Sequence, residues 1–277
     1  MGFSTDDALA PKVSEGFHLS DLDPATTPGL SADDNLDKEF AQHDDELGEL
    51  QENLFASKAG SVLVILQGMD TSGKGGMIER LLKPMSPLGT RVVAFGAPTK
   101  EEREQDFLWR VRPHLPKAGE IAVFDRSHYE DVLIQKVESM ADPAEIERRY
   151  AAISDFESEI AASGTTIIKV FLHISREFQY ENLVERLTNP EKMWKYDPAD
   201  LVARSKWEEY MTAYQIAMER TSTDDAPWYV IPGDDKTYAR MVVKHLLVDA
   251  LRDLERPWPG LGEGVDADEE LEKLKKS

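Results

Sequence analysis

The sequence predicts a three-layer α/β fold: a five-stranded parallel sheet with helices on both faces and a helical lid. Three observations carry this. Five short apolar runs, at 61–66, 91–95, 120–124, 165–173 and 228–231, alternate with segments of helical periodicity, the pattern of parallel strands joined by crossover helices. The first run leads into Gly68-Met69-Asp70-Thr71-Ser72-Gly73-Lys74-Gly75-Gly76, a glycine-bounded loop that opens a helix, and the third ends in Asp125-Arg126. Both features therefore fall at the carboxyl ends of strands, where ligands of such sheets bind.

The composition limits the function classes. The 277 residues are 41% hydrophobic, enough for a proper core. With 32 basic and 53 acidic residues the net charge is −21, which argues against a nonspecific nucleic-acid binder. Residues 1–57 hold 14 acidic side chains against Lys12 and Lys38, a net of −12, so the remaining body is only mildly acidic and a polyanionic ligand stays open to it. There is no cysteine, hence no disulfide, thiolate nucleophile or cysteine-ligated metal. The start lacks a basic segment followed by an apolar one, and no run of ~18 apolar residues occurs. A soluble, cytoplasmic protein with no membrane partner is expected.

In chain order, residues 1–30, with three prolines among polar residues, read as an extended arm. Leu36, Phe40, Leu47, Leu50 and Leu54 recur at helical spacing over 32–57. A helix over 74–85 follows the first strand. After the second, Thr99 with Glu102 makes a capping box, predicting a helix that runs until Pro113 disturbs it. Helices are further expected over 127–138, 143–163, 175–187, 198–220 and 237–254, with a polar loop at 188–195. This gives an arm at 1–30, a main domain at 31–256 with its lid at about 186–206, and a flexible tail at 257–277.

The glycine-bounded loop is a phosphate cradle by its chemistry. Backbone amides converge at a helix N-terminus whose dipole favours anions, and Lys74 adds a charge able to follow a phosphoryl group. The usual metal-binding hydroxyl after the lysine is replaced by Gly75, so the nearest hard-oxygen ligand is Asp70, unless Asp70 only caps a turn. A strand-end aspartate such as Asp125 is the second place where such proteins hold Mg²⁺, and Arg126 has a fork suited to phosphate oxygens. The bland alternative is a helix cap and a structural ion pair. Arg186, Lys192 and Lys195 sit where a lid would close over phosphates, or are simply solvated surface charges. His128 has no partner at metal-site spacing. No nucleophile elbow, zinc-protease motif or protein-kinase motif competes.

Four stretches, QGMDTSGKGG at 67–76, PTKEEREQDFLWRVRPHLP at 98–116, EIAVFDRSHYEDVL at 120–133 and ERLTNPEKMWKYDPADL at 185–201, resemble the family-2 polyphosphate kinases, as does DLDPATTP at 21–28. The resemblance spans roughly residues 20–256. It implies a phosphate-loop kinase fold like that of thymidylate kinase. It further implies Mg²⁺-dependent transfer, with Mn²⁺ as an alternative ion, of the terminal phosphoryl group of inorganic polyphosphate to adenine or guanine nucleotides, or the reverse, by a homodimer or homotetramer.

By the same resemblance Asp70 and Asp125 hold the metal, Lys74 and Arg126 grip the transferring group, and Arg186, Lys192 and Lys195 line the polyphosphate path, Arg186 being counted with the catalytic residues. Gly68, Met69, Thr71, Ser72, Gly73, Gly75, Gly76, Tyr129 and Glu130 contact nucleotide or phosphate. SHYEDVL resembles the class acting on both AMP and ADP, many members of which have Asn where this chain has Asp125. Two other readings remain open on the residues alone: an ATP-dependent nucleotide or small-molecule kinase, and a non-catalytic nucleotide-binding regulator.

Overall fold

The computed structural model describes residues 12–31 and 36–277, so any structure in the first eleven residues of the arm and at the start of the first long helix lies outside the described residues. The five strands are β1 (Ser61–Gln67), β2 (Thr90–Ala94), β3 (Ile121–Asp125), β4 (Thr165–His173) and β5 (Trp228–Pro232). They form one parallel sheet in the order β2-β3-β1-β4-β5. All seven residues of β1 are buried, as a central strand covered on both faces requires.

The helices are α1 (Leu36–Ser57), α2 (Lys74–Leu82), α3 (Lys100–Arg103), α4 (Ile134–Val137), α5 (Pro143–Ala162), α6 (Arg176–Thr188), α7 (Ala199–Ser205), α8 (Trp207–Thr221), α9 (Lys236–Leu254) and α10 (Ala267–Lys276). Side chains on β1 alternate between the layers. Val62, Val64 and Leu66 pack with α1, α2 and α9. Leu63 and Ile65 pack with α5, α8 and the arm residues Val13 and Leu19. No helix among the described residues is long and apolar enough to cross a membrane.

Three expectations are corrected. The capping box at Thr99 and Glu102 forms, yet its helix lasts only through Arg103. Asp106 then captures the amide of Leu108 at 3.0 Å, a local bond that competes with the helix, and Phe107, Leu108 and Val111 turn into the core. The single helix expected over 127–138 is a 3₁₀ turn at His128–Asp131 followed by α4. The helix expected over 198–220 is broken at Lys206, whose ammonium reaches back to Glu138. In the tail, Asp266 caps α10, and no residue of that helix is buried.

Candidate active site

The loop after β1 is held in a shape few side chains tolerate. Gly68 has φ +154, and a Cβ there would lie 2.7 Å from the Ser72 hydroxyl and 2.9 Å from the carbonyl oxygen of Leu172. Gly73, at φ +94, precedes α2 as its cap. Between them Thr71 is left-handed at φ +67, strain of a kind that clusters at functional sites. A Cβ on Gly75 would meet nothing within 4 Å, so space does not explain the missing hydroxyl there.

Lys74 lies at the centre. It is 8% exposed, and its ammonium donates to the carbonyls of Gly68 at 2.8 Å and Met69 at 3.1 Å. Burial lowers its pKa, opposed by Asp70 and Asp125 and Glu130 and reinforced by Arg126. These are the charges that act most strongly on the ammonium, and they join the loop to the end of β3 in one electrostatic site. The register explains why: Leu66 pairs with Asp125, and the amide of Arg126 donates to the Leu66 carbonyl at 3.0 Å, bringing the two strand ends out side by side.

Arg126, left-handed at φ +64, pairs with the Asp70 carboxylate. Burial disfavours its charge, but Glu130 and Asp70 outweigh that and raise its pKa. Burial likewise raises the pKa of Glu130, against Arg126 and Lys74.

Other expected residues stand elsewhere. Met69 is buried in the core and offers the site its backbone. The Tyr129 hydroxyl points away from the loop: the residue is fully buried, donating to Glu157 at 2.8 Å and accepting from Lys169 at 3.0 Å. Its aromatic body packs beside Trp228, so it supports the turn that carries Glu130. Arg186 donates to Asp200 at 2.9 Å and to the Lys195 carbonyl at 3.1 Å. Lys192 pairs with Glu185, and the Lys195 ammonium sits 5.1 Å from the ring of the exposed Trp194. The three cations are thus engaged by neighbours in or beside their own segment.

A family model described as "Polyphosphate kinase 2 (PPK2)" matches residues 30–257. The chain belongs to the polyphosphate kinase 2 family. A relative from Meiothermus ruber named "AMP/ADP-polyphosphate phosphotransferase" is 43% identical over 244 residues, 88% of this chain and 91% of that protein. An "ADP-polyphosphate phosphotransferase" from Rhodopseudomonas palustris is 39% identical over 78% of each chain. The crystal structure of polyphosphate kinase 2 from Arthrobacter aurescens superposes with a TM-score of 0.93 at 47% identity, covering 98% of this chain and 97% of that one.

Several groups at this polyphosphate kinase 2 site escape sequence reasoning. Gln67, fully buried at the end of β1, donates to the Ser127 hydroxyl at 3.2 Å and hydrogen-bonds Glu130. Tyr214 of α8 feels the charges of Glu130 and Asp70. Asp200 has its pKa pushed up to about 6 by burial and by Asp70, against Arg186. The 186–206 segment therefore brings one carboxylate, paired with Arg186, within electrostatic reach of Asp70. Gln67 and Asp200 lie inside the motif stretches 67–76 and 185–201, which was their sequence signal, whereas Tyr214 had none.

The donor set fits a Mg²⁺ ion. No group of three or more His, Cys, Asp or Glu residues among the described residues is placed to hold a metal. Mg²⁺ in phosphoryl-transfer sites uses one or two carboxylates and fills its remaining positions with water and phosphate oxygens, and Asp70 and Asp125 supply that number.

Proposed function

We propose that this polyphosphate kinase 2 moves the terminal phosphoryl group between inorganic polyphosphate and adenine nucleotides, AMP to ADP and ADP to ATP, in either direction. The observation that carries the reading is the convergence of Lys74, Arg126, Asp70, Asp125 and Glu130 on one loop. The M. ruber relative's name supports the acceptor pair AMP and ADP, with guanine nucleotides as further candidates.

Phosphoryl transfer asks for alignment of two polyanions and little covalent help from the protein. Lys74, pre-set on the loop carbonyls, moves to phosphate oxygens when they arrive, and Arg126 exchanges Asp70 for the transferring group. Arg186 and Lys192 exchange their partners Asp200 and Glu185 for polyphosphate in the same way, and Lys195 leaves the Trp194 ring for it. Mg²⁺ or Mn²⁺, held by Asp70 and Asp125, supplies further charge neutralisation when bound. The acceptor phosphate is ionised at neutral pH, so no general base is assigned. The same reading makes the protein a cytoplasmic homodimer or homotetramer, which light scattering checks.

The deciding assay mixes purified protein, Mg²⁺, polyphosphate and either AMP or ADP, with no ATP. ADP or ATP formation supports the reading. Silence there with phosphorylation of an acceptor by ATP supports an ATP-dependent kinase, and silence in both leaves a nucleotide-binding regulator.

A further inference from the structure

Helix α6 begins where β4 ends, and its start is fixed twice. The Ser175 hydroxyl accepts from the Phe178 amide at 3.0 Å, and the Ser175 amide donates to Asp234 at 2.8 Å. This sets the rotation of the helix so that Gln179 and Asn182, three residues apart and on one face, meet the phosphate loop. The Gln179 amide donates to the Asp70 carbonyl at 3.0 Å, and the Asn182 amide to the Thr71 carbonyl at 3.4 Å.

Both side chains are themselves held. Gln179 is fully buried and accepts from Arg204 of α7 at 2.9 Å, while Arg204 also donates to the Arg176 carbonyl at 2.7 Å. Asn182 accepts from Lys236 of α9 at 2.9 Å. The two carbonyls they hold flank the left-handed Thr71 backbone, and the first belongs to the residue whose carboxylate pairs with Arg126.

We propose that Gln179 and Asn182 are positioning residues that clamp the Asp70–Thr71 segment of the phosphate loop, with Arg204 and Lys236 as their anchors. Through this clamp helices α6, α7 and α9 set where the Asp70 carboxylate stands. A strained backbone persists only where its surroundings over-determine it, and these amides supply that constraint from a different element than the loop's own glycines. A buried amide with both ends used is also costly to replace by an apolar group, because the Asp70 carbonyl would lose its partner. The proposal rests on the loop being the phosphate site, so its first readout is independent of activity.

The test compares Gln179→Leu, Gln179→Glu and Asn182→Ala with the unmodified chain. Gln179→Glu is the informative variant: it keeps an acceptor for Arg204 but has no donor for Asp70. Hydrogen exchange in the protein without substrate is expected to accelerate at residues 69–73 in all three variants, with β4 and α9 unchanged. In polyphosphate-driven ADP phosphorylation, kcat is expected to fall about tenfold or more with KM for ADP changing about twofold or less, as misplacement of a catalytic group requires. Loop exchange in Gln179→Glu equal to that of the unmodified chain overturns the clamp, as does an acceleration spread evenly over the whole molecule. Asn182→Ala, at a half-buried position, keeps the proposal testable should Gln179→Leu fail to fold. If no variant, nor the unmodified chain, phosphorylates ADP, the exchange result still decides the clamp while the proposed function alone fails.

Discussion

At the scale of the residue, Lys74 serves two states. Its ammonium satisfies the carbonyls of Gly68 and Met69, and in the proposed reaction the same charge is available to the transferring group. Lys74→Met is therefore expected to lower kcat by on the order of 10²–10³, the scale for losing one pre-placed charge or donor, measured in the polyphosphate assay with the circular dichroism spectrum retained.

Asp200 yields a prediction on pH. Its folded pKa of about 6 lies above the ~3.9 of an unfolded aspartate, so between those values the folded state binds a proton that the unfolded state does not. Stability from that proton is present at low pH and is lost as pH rises through about 6. Asp200→Asn should thus melt with the unmodified protein near pH 4 and above it at pH 8. Equal melting temperatures at both pH values would contradict a raised Asp200. These two residues also mark what was legible. Lys74 stands in a contiguous motif between a strand and a helix, whereas Asp200 acquires its meaning only when the lid lies against the loop, a relation without sequence spacing.

At the scale of the element, the turn after β3 is carried by a buried ionic network. Glu157 of α5 accepts from Tyr129 and pairs with Lys169 of β4, which also donates to the Thr221 carbonyl at 2.8 Å. Burial opposes the Glu157 charge, but Lys169 and His128 outweigh it and hold the carboxyl below its ordinary range. A buried pair gains little over a hydrophobic one, yet breaking it strands the remaining charge. Lys169→Met is expected to cost about 3–5 kcal/mol in urea unfolding, and adding Glu157→Leu to recover most of it. Full additivity of the two losses would refute the pairing.

Strand and helix existence was readable here because apolar period and length agree: Thr165–His173 is strand as expected and Pro143–Ala162 helix as expected. The segment after Thr99 was misread because its apolar residues Phe107, Leu108 and Val111 also suit a helix, and only tertiary burial of an irregular turn separates the two.

At the scale of the whole molecule, the two ends outside the sheet domain look alike in sequence, both rich in proline and acid, and differ in what they bury. The described part of the arm crosses the edge strand β5: the Val13 amide donates to the Trp228 carbonyl at 2.9 Å, and Lys12 bridges Tyr229 in antiparallel fashion. Further on, the Leu22 carbonyl meets His173, and the Pro24 carbonyl accepts from Asp234 at 3.1 Å, at the same aspartate that fixes the start of α6. Val13 and Leu19 are 6% and 5% exposed, and burying side chains of this size contributes about 1.5–3 kcal/mol each.

In the tail, all of residues 257–277 are exposed, α10 included, and just before it Asn53 makes paired hydrogen bonds with the backbone of Arg256. Removing residues 257–277 should leave the urea midpoint and the polyphosphate activity within error of the full chain. Removing residues 1–30 should lower the urea midpoint through a loss of roughly 3–6 kcal/mol of stability from Val13 and Leu19, and should also slow catalysis, because the arm braces Asp234 and through it the helix that clamps the loop. A tail deletion that destabilises as much as the arm deletion would show that α10 packs against something its exposure in the single chain does not account for, and a second copy of the chain would be the first partner to test by light scattering.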